Sequence, residues 1–223
     1  MDPNDDCDLV VDALLDSGYV DDFCLARDFE EAFINCLMEA GFLVMSMKLE
    51  EKLAADFFIL LPKLHLVRSV LFFHELHIKK NVRPLLSRYE LKTDTDFELI
   101  LDKCLKAHGE DWLTPPLVNI LKIMHKPVGQ NSNRAKPFSF GLYQDGELKA
   151  GEFGIVAGDV YTSYSGFYEE DNAGTVQMIL MAQWLEKAGF AFLDFGMPLD
   201  YKRDLGAREI GTRQFVELFR AAR

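Results

Sequence analysis

The 223-residue sequence has no apolar run approaching the roughly 20 residues that a bilayer-crossing helix needs. Its opening, Met1 to Asp8, is acidic where a secretory leader is basic and then apolar, so a cytoplasmic location is expected. Cysteine is sparse. The four present (Cys7, Cys24, Cys36, Cys104) show no CxxC spacing, and a chain this long needs no disulfide framework, so all four are expected as reduced thiols. No GxSxG elbow surrounds Ser163 or Ser165, and Gly151-Glu-Phe-Gly154 is neither a dinucleotide loop nor a P-loop. His74-Glu-Leu-His77 lacks the four-residue separation of the metalloprotease motif and a third ligand, so no metal is expected. Basic residues are scarce in the first 60 positions, which hold 15 Asp or Glu against 3 Lys or Arg. The remaining residues hold 21 of each sign, so the whole net charge of -12 lies in the N-terminal quarter. An acidic total therefore leaves room for a local basic surface that meets nucleic acid.

Hydrophobic residues make up 49% of the chain, enough for a substantial core. Residues 1 to 62 are expected to form an acidic, mainly helical N-terminal region, and 63 to 223 a larger domain with its core at 138 to 223. Residues 1 to 22 read equally as a short helix or a tail, with Leu9, Val10, Val11, Leu14 and Leu15 among the aspartates. Asp28 with Glu31 three residues on, an apolar face at Phe29, Phe33, Cys36 and Leu37, and Gly41 beyond the end predict a capped helix. A second helix is predicted from Thr95 to His108, stopped by Gly109, and a third from Thr114-Pro115, carrying Leu117, Ile120, Leu121 and Met124 inward.

After a polar link from Gly129 to Lys136 the pattern changes from helical to alternating. Phe138 to Gln144, Glu147 to Ala157 and Val160 to Phe167 read as three antiparallel strands, joined at Asp145-Gly146 and Gly158-Asp159. A helix from Ala173 to Lys187 follows, then a short buried strand within Phe190 to Phe195, and finally a helix from Thr212 to Ala222. Three antiparallel strands, a helix and a strand is the order of an acetyltransferase-like α+β core, whose last strand pairs parallel to the third and splays from it to open a cleft. Acetyl-CoA does not suit this chain. The turn before the main helix, Glu169-Glu170-Asp171-Asn172-Ala173-Gly174, would set three carboxylates against a pyrophosphate.

Gly189-Phe-Ala-Phe-Leu-Asp194, followed after ten residues by Leu205-Gly-Ala-Arg-Glu-Ile210, resembles the leucyl/phenylalanyl-tRNA-protein transferase pattern, in which Ile-Asp-Cys-Gln precedes Ser-Leu-Gly-Ala-Arg-Glu-Ile-Pro-Arg. Phe167, Asn172-Ala173, Glu75-Leu-His-Ile78 and Trp112-Leu-Thr-Pro115 match further blocks in order, so the resemblance extends from about Phe29 to Phe215. It implies transfer of an aminoacyl group from tRNA to the N-terminal amine of an acceptor protein, marking it for degradation without a cofactor. On this reading Asp194 orients or deprotonates the attacking amine. Trp112, Tyr143, Tyr164, Ser165 and Phe167 line the substrate pocket, and Lys79, Lys80, Arg83 and Arg88 bind the tRNA acceptor stem. Those four lie in a stretch, Lys63 to Lys92, with seven Lys or Arg and two Glu. Pro84 stands where the family often has another arginine.

Several family positions differ. Gly196 replaces the reaction-centre glutamine, Tyr164 a glutamate, Gly166 a pocket methionine and Tyr201 a histidine, and the family's N-terminal Gly-Ile-Phe-Pro-Trp becomes Gly41-Phe-Leu-Val-Met45. A relative that binds tRNA or N-terminal peptides without transferring anything, and an acyltransferase using another donor, therefore stand as alternative expectations.

Overall fold

The computed structural model describes residues 1–21, 23–49, 57–126 and 134–223. The chain runs α1 (Cys7–Asp16), α2 (Glu31–Glu39), β1 (Leu43–Leu49), β2 (Phe57–Lys63), β3 (Val67–Leu71), β4 (Glu90–Thr93), α3 (Phe97–His108) and α4 (Pro115–His125). It continues with β5 (Lys136–Gln144), β6 (Glu147–Ala157), β7 (Val160–Tyr168), α5 (Ala173–Lys187), β8 (Phe192–Asp194), α6 (Asp200–Asp204), β9 (Arg208–Gly211) and α7 (Thr212–Ala222). Two 3-10 turns, Phe73–Glu75 and Arg83–Arg88, lie between β3 and β4.

Seven strands form one mixed sheet in the order β4-β5-β6-β7-β8-β3-β9. The β5-β6-β7 meander arises where alternation predicts it. Asp145 and Gly146 take φ 51° and 83°, the pair of positive values that a two-residue hairpin turn with right-handed twist requires. β8 then pairs parallel with β7, Val160 opposite Phe192 and Thr162 opposite Asp194. This is the expected acetyltransferase-like order, and the sheet extends past it at both edges, through β4 and through β3 and β9.

Helices cover both faces. α2, α3, α4 and α7 pack on one side, over a core that includes Phe33, Leu37, Leu101, Phe153 and Phe215. α5 lies across the other, over Phe140, Tyr161, Ile179 and Leu193. No helix among the described residues is long and apolar enough to cross a membrane.

The N-terminal region departs from expectation in three respects. It is not mainly helical beyond α2, because β1 and β2 form a separate antiparallel pair, Leu43 opposite Lys63 through Leu49 opposite Phe57. Apolar residues crowd both strands, which hides the two-residue period that would have marked them. The capping box is not made. α2 begins at Glu31, so Asp28 lies outside it and Glu30 caps without a side-chain bond. Cys7 and Cys36 are joined as a disulfide between α1 and α2, with Cα atoms 6.0 Å apart, while Cys24 and Cys104 stay free. Spacing along the chain cannot reveal this pairing, because it depends on α1 folding back on α2. Of the polar link, only residues 134–136 lie within the described residues.

Candidate functional site

The parallel pairing of β7 and β8 ends at Thr162 and Asp194, while β7 runs on to Tyr168. Asp194, expected to face an open cleft, is instead fully buried and enclosed. Arg68 Nε donates to both carboxylate oxygens at 3.1 Å and Nη2 lies 3.0 Å from Oδ2. Thr162 Oγ1 donates to Oδ2 at 3.0 Å, and the Gly196 amide donates to Oδ1 at 2.8 Å. Arg68 Nη2 also donates to the Gly41 carbonyl at 3.0 Å, and the guanidinium lies 4.2 Å from the centre of the Phe215 ring. Every element meeting at this point is thus tied to one buried ion pair. Removing either partner would strand the other charge in the interior, at a cost of about 3–5 kcal/mol. Arg68 accordingly leaves the basic surface that its place in the sequence suggests.

The expected pocket residues do not converge on Asp194. Tyr164 lies within electrostatic reach of Asp194, but its hydroxyl accepts from the Val44 amide at 3.0 Å. Tyr143 gives its hydroxyl to Asp96, and the Lys92 ammonium lies 4.5 Å over its ring. The Ser165 carbonyl accepts from Cys104 Sγ at 3.4 Å. Phe167 is core beneath Lys103, and the Trp112 carbonyl accepts from the Ser46 amide at 2.9 Å. All five hold β1, α3 and α4 against one face of the sheet.

A second buried polar cluster occupies the opposite face, beneath α5, and the sequence reading missed it. Glu152, at the middle of β6, is 4% exposed. Ser163 and Tyr161 of β7 and Gln177 of α5 face its carboxyl, and Lys202 and Tyr201 of α6 lie within reach of its charge. Gly166 stands directly opposite, and a Cβ there would approach Glu152 Cβ to 3.1 Å. Burial is the main force on both charged groups. It pushes the Glu152 carboxyl up to about 7 and the Lys202 ammonium down to about 8. Lys202 Nζ donates to the Phe195 carbonyl at 2.6 Å and the Met197 carbonyl at 2.9 Å, holding the loop after β8. The one legible sign was a glutamate within an otherwise apolar and glycine-rich strand, Ala150-Gly-Glu-Phe-Gly-Ile-Val156.

Lys79, Lys80, Arg83 and Arg88 are all exposed. Lys79 pairs with Asp204 at 2.6 Å, and the other three have no ion-pair partner among the described residues. This basic segment abuts α6. The His77 amide donates to the Leu205 carbonyl at 2.9 Å, and Gly206, at φ 99°, presses against the Glu75 carbonyl so closely that a Cβ would lie 2.1 Å from it. One five-residue helix therefore separates the basic surface from the Glu152 cluster. Before α5, Glu169 pairs with Lys103 and Glu170 accepts from Tyr89 at 2.6 Å. Among the described residues no three His, Cys, Asp or Glu side chains converge to hold a metal.

Residues 70–220 match the family model described as leucyl/phenylalanyl-tRNA protein transferase. Proteins named leucyl/phenylalanyl-tRNA--protein transferase from Pseudomonas putida (strain W619) and Azotobacter vinelandii are 33% and 30% identical to this chain over 156 residues. Each alignment covers 67% of this chain and 66% of the relative, so the match spans just under two thirds of those relatives' length. Among solved structures, a DUF2156 domain from Agrobacterium fabrum aligns with a TM-score of 0.42 at 13% identity, covering 96% of this chain and 69% of that one. L-PGS from Bacillus licheniformis aligns at 0.40 and 12%, covering 94% and 67%. On the family model and these relatives, the chain belongs to the leucyl/phenylalanyl-tRNA protein transferase family.

Proposed function

We propose that the protein moves an aminoacyl group from a charged tRNA to the N-terminal amine of an acceptor protein, tagging it for degradation. The observation that carries this reading is the adjacency of an exposed basic segment to a buried acid-base cluster across α6. Lys80, Arg83 and Arg88, with Lys79, meet the phosphates of the acceptor stem and set its register without reading sequence. The ester on the tRNA is already activated, and an α-amine near pKa ~8 is partly neutral at cellular pH, so the task is to position the two groups and desolvate them. No cofactor is required. Asp194 and Arg68 serve as positioning residues, fixing the end of β8 and the loop after it, on which Lys202 closes.

Binding without transfer is the second reading. It is favoured by Gly196, which stands where the family has its reaction-centre glutamine, and by the Tyr164 hydroxyl, which is occupied by the Val44 amide where the family has a glutamate. One experiment separates the two. Purified protein is given a panel of charged tRNAs together with peptides beginning with each amino acid, and products are identified by mass. A peptide lengthened by one aminoacyl residue is the expected result. Retention of tRNA on a filter with no lengthened peptide for any donor would establish the second reading instead.

A further inference from the structure

We propose that the Cys7–Cys36 disulfide is a reversible redox clasp that fastens α1 to the body of the protein. The bond joins the first residue of α1 to α2, and its Cα separation of 6.0 Å is within the ordinary range. Without it, α1 is held weakly. Of its ten residues only Cys7 and Val11 are buried, while Val10, Leu14 and Leu15 are partly covered. Ion pairs to the C-terminal helix supply further ties: Asp8 and Asp12 with Arg220, Asp8 with Arg223, and Asp16 with Arg213. The three aspartates are 39%, 50% and 78% exposed, so each pair contributes little and weakens with salt. At ten residues, α1 is also shorter than the roughly 12–15 that an isolated helix needs to persist in water. Its order therefore depends on docking, and the disulfide is the tie that neither solvent nor salt weakens.

A small thiol reaches this bond at Cys36. Cys7 is 1% exposed, whereas Cys36 is half-buried, and both line a half-open cavity of about 830 Å³ between α1, α2, the end of α4 and the C-terminus. A volume of that order admits a molecule the size of a tripeptide thiol. The exchange balances in two steps. A thiolate RS⁻ attacks Cys36 Sγ, forming a mixed disulfide there and expelling Cys7 as a thiolate, and a second RS⁻ then attacks the R sulfur, giving RSSR and releasing Cys36. The protons shed by the two incoming thiols pass to Cys7 and Cys36. Two RSH are thus oxidised to RSSR while the protein disulfide is reduced to two thiols, and RSSR closes the clasp by the same steps reversed. The reduced cysteines expected from the sequence and the disulfide in the structure are two states of one device. Opening it lets the acidic helix leave α7 and returns Arg213, Arg220 and Arg223 to solvent.

The test takes the intact chain through a series of reduced and oxidised glutathione mixtures near neutral pH, and it needs no turnover. Alkylation followed by mass measurement counts free thiols: two with the clasp closed, Cys24 and Cys104, and four with it open. The count is expected to move between those values within the series. Hydrogen exchange on the same samples reads the consequence. Amides of Cys7–Asp16 are expected to exchange about 10-fold or more faster in the four-thiol form, while those of α5 stay unchanged. Cys7→Ser should show the fast rate in every mixture, and Cys36→Ser gives the same readout should the first variant misfold. A thiol count fixed at one value throughout, equal α1 exchange in the two forms, or slow α1 exchange in both serine variants overturns the proposal.

Discussion

At the residue scale, the two buried carboxylates are handled in opposite ways. Asp194 is met by a guanidinium, a hydroxyl and an amide, whereas Glu152 has hydroxyls, an amide and a distant ammonium. The difference reads out as pH-dependent stability. A carboxyl at about 7 in the folded state and near 4.5 in the unfolded chain binds its proton more tightly when folded. Its contribution is then full below pH 4.5 and is lost as pH rises through 7. Glu152→Gln should remove that slope and leave the protein more stable at pH 8 by on the order of 3 kcal/mol. Urea unfolding of both proteins at pH 5 and pH 8 measures it, and equal pH slopes would show that the carboxyl ionises freely. Gly196 presents a different constraint. Its φ of 72° lies in the left-handed region, although a Cβ there would make only ordinary contact with Leu43 Cδ1 at 3.4 Å. Restoring the family residue with Gly196→Gln is expected to cost roughly 1–2 kcal/mol of stability, seen as a lowered melting temperature, whatever it does to transfer.

At the level of elements, the parts governed by local rules were legible and the parts governed by long-range meetings were not. The β5-β6-β7 meander, α5 and α7 follow from alternation, turn residues and helical periodicity, each contained within a few neighbours. Arg68 and Asp194 are 126 positions apart, and nothing near either announces the other. The placement of the expected pocket residues on β7 was hidden for a related reason. A bulge at Tyr164 leaves Phe153 opposite Ser165 and Gly154 opposite Ser163, which breaks the two-residue period and puts Tyr164 and Phe167 on the same face. Glu152 was passed over because its burial comes from α5 and α6, which lie far along the chain. The basic stretch from Lys79 to Arg88 is visible from composition alone, although the 3-10 turn Arg83–Arg88 within it is not, and its role can be measured. Reversing the charge at Lys79, Lys80, Arg83 and Arg88 should abolish tRNA binding, with single reversals each lowering the slope of log affinity on log salt by about 1. An unchanged affinity in the fourfold variant would reduce the stretch to a solvated face.

Across the whole molecule, acidic and basic regions are segregated and yet packed into a common body. The apolar cluster on the α2 side of the sheet joins Cys7, Val11, Phe33 and Leu37 from the first 40 residues to Phe153, Phe215 and Phe219. The acidic excess is partly answered by the last helix, where Arg220 pairs with Asp8 and Asp12. The ion pair at the end of β8 sets a boundary on how this chain can be divided. The stretch that the family model matches begins at residue 70, two positions after the arginine that neutralises Asp194, and that arginine in turn leans on the Gly41 carbonyl. An excised piece starting at the edge of family similarity would carry a buried carboxylate with its cation cut away, a loss of about 3–5 kcal/mol in a fold whose whole margin is about 5–15 kcal/mol. The stretch that the family model matches is therefore not a unit of folding, and surgery on this protein has to cut upstream of Gly41 or not at all.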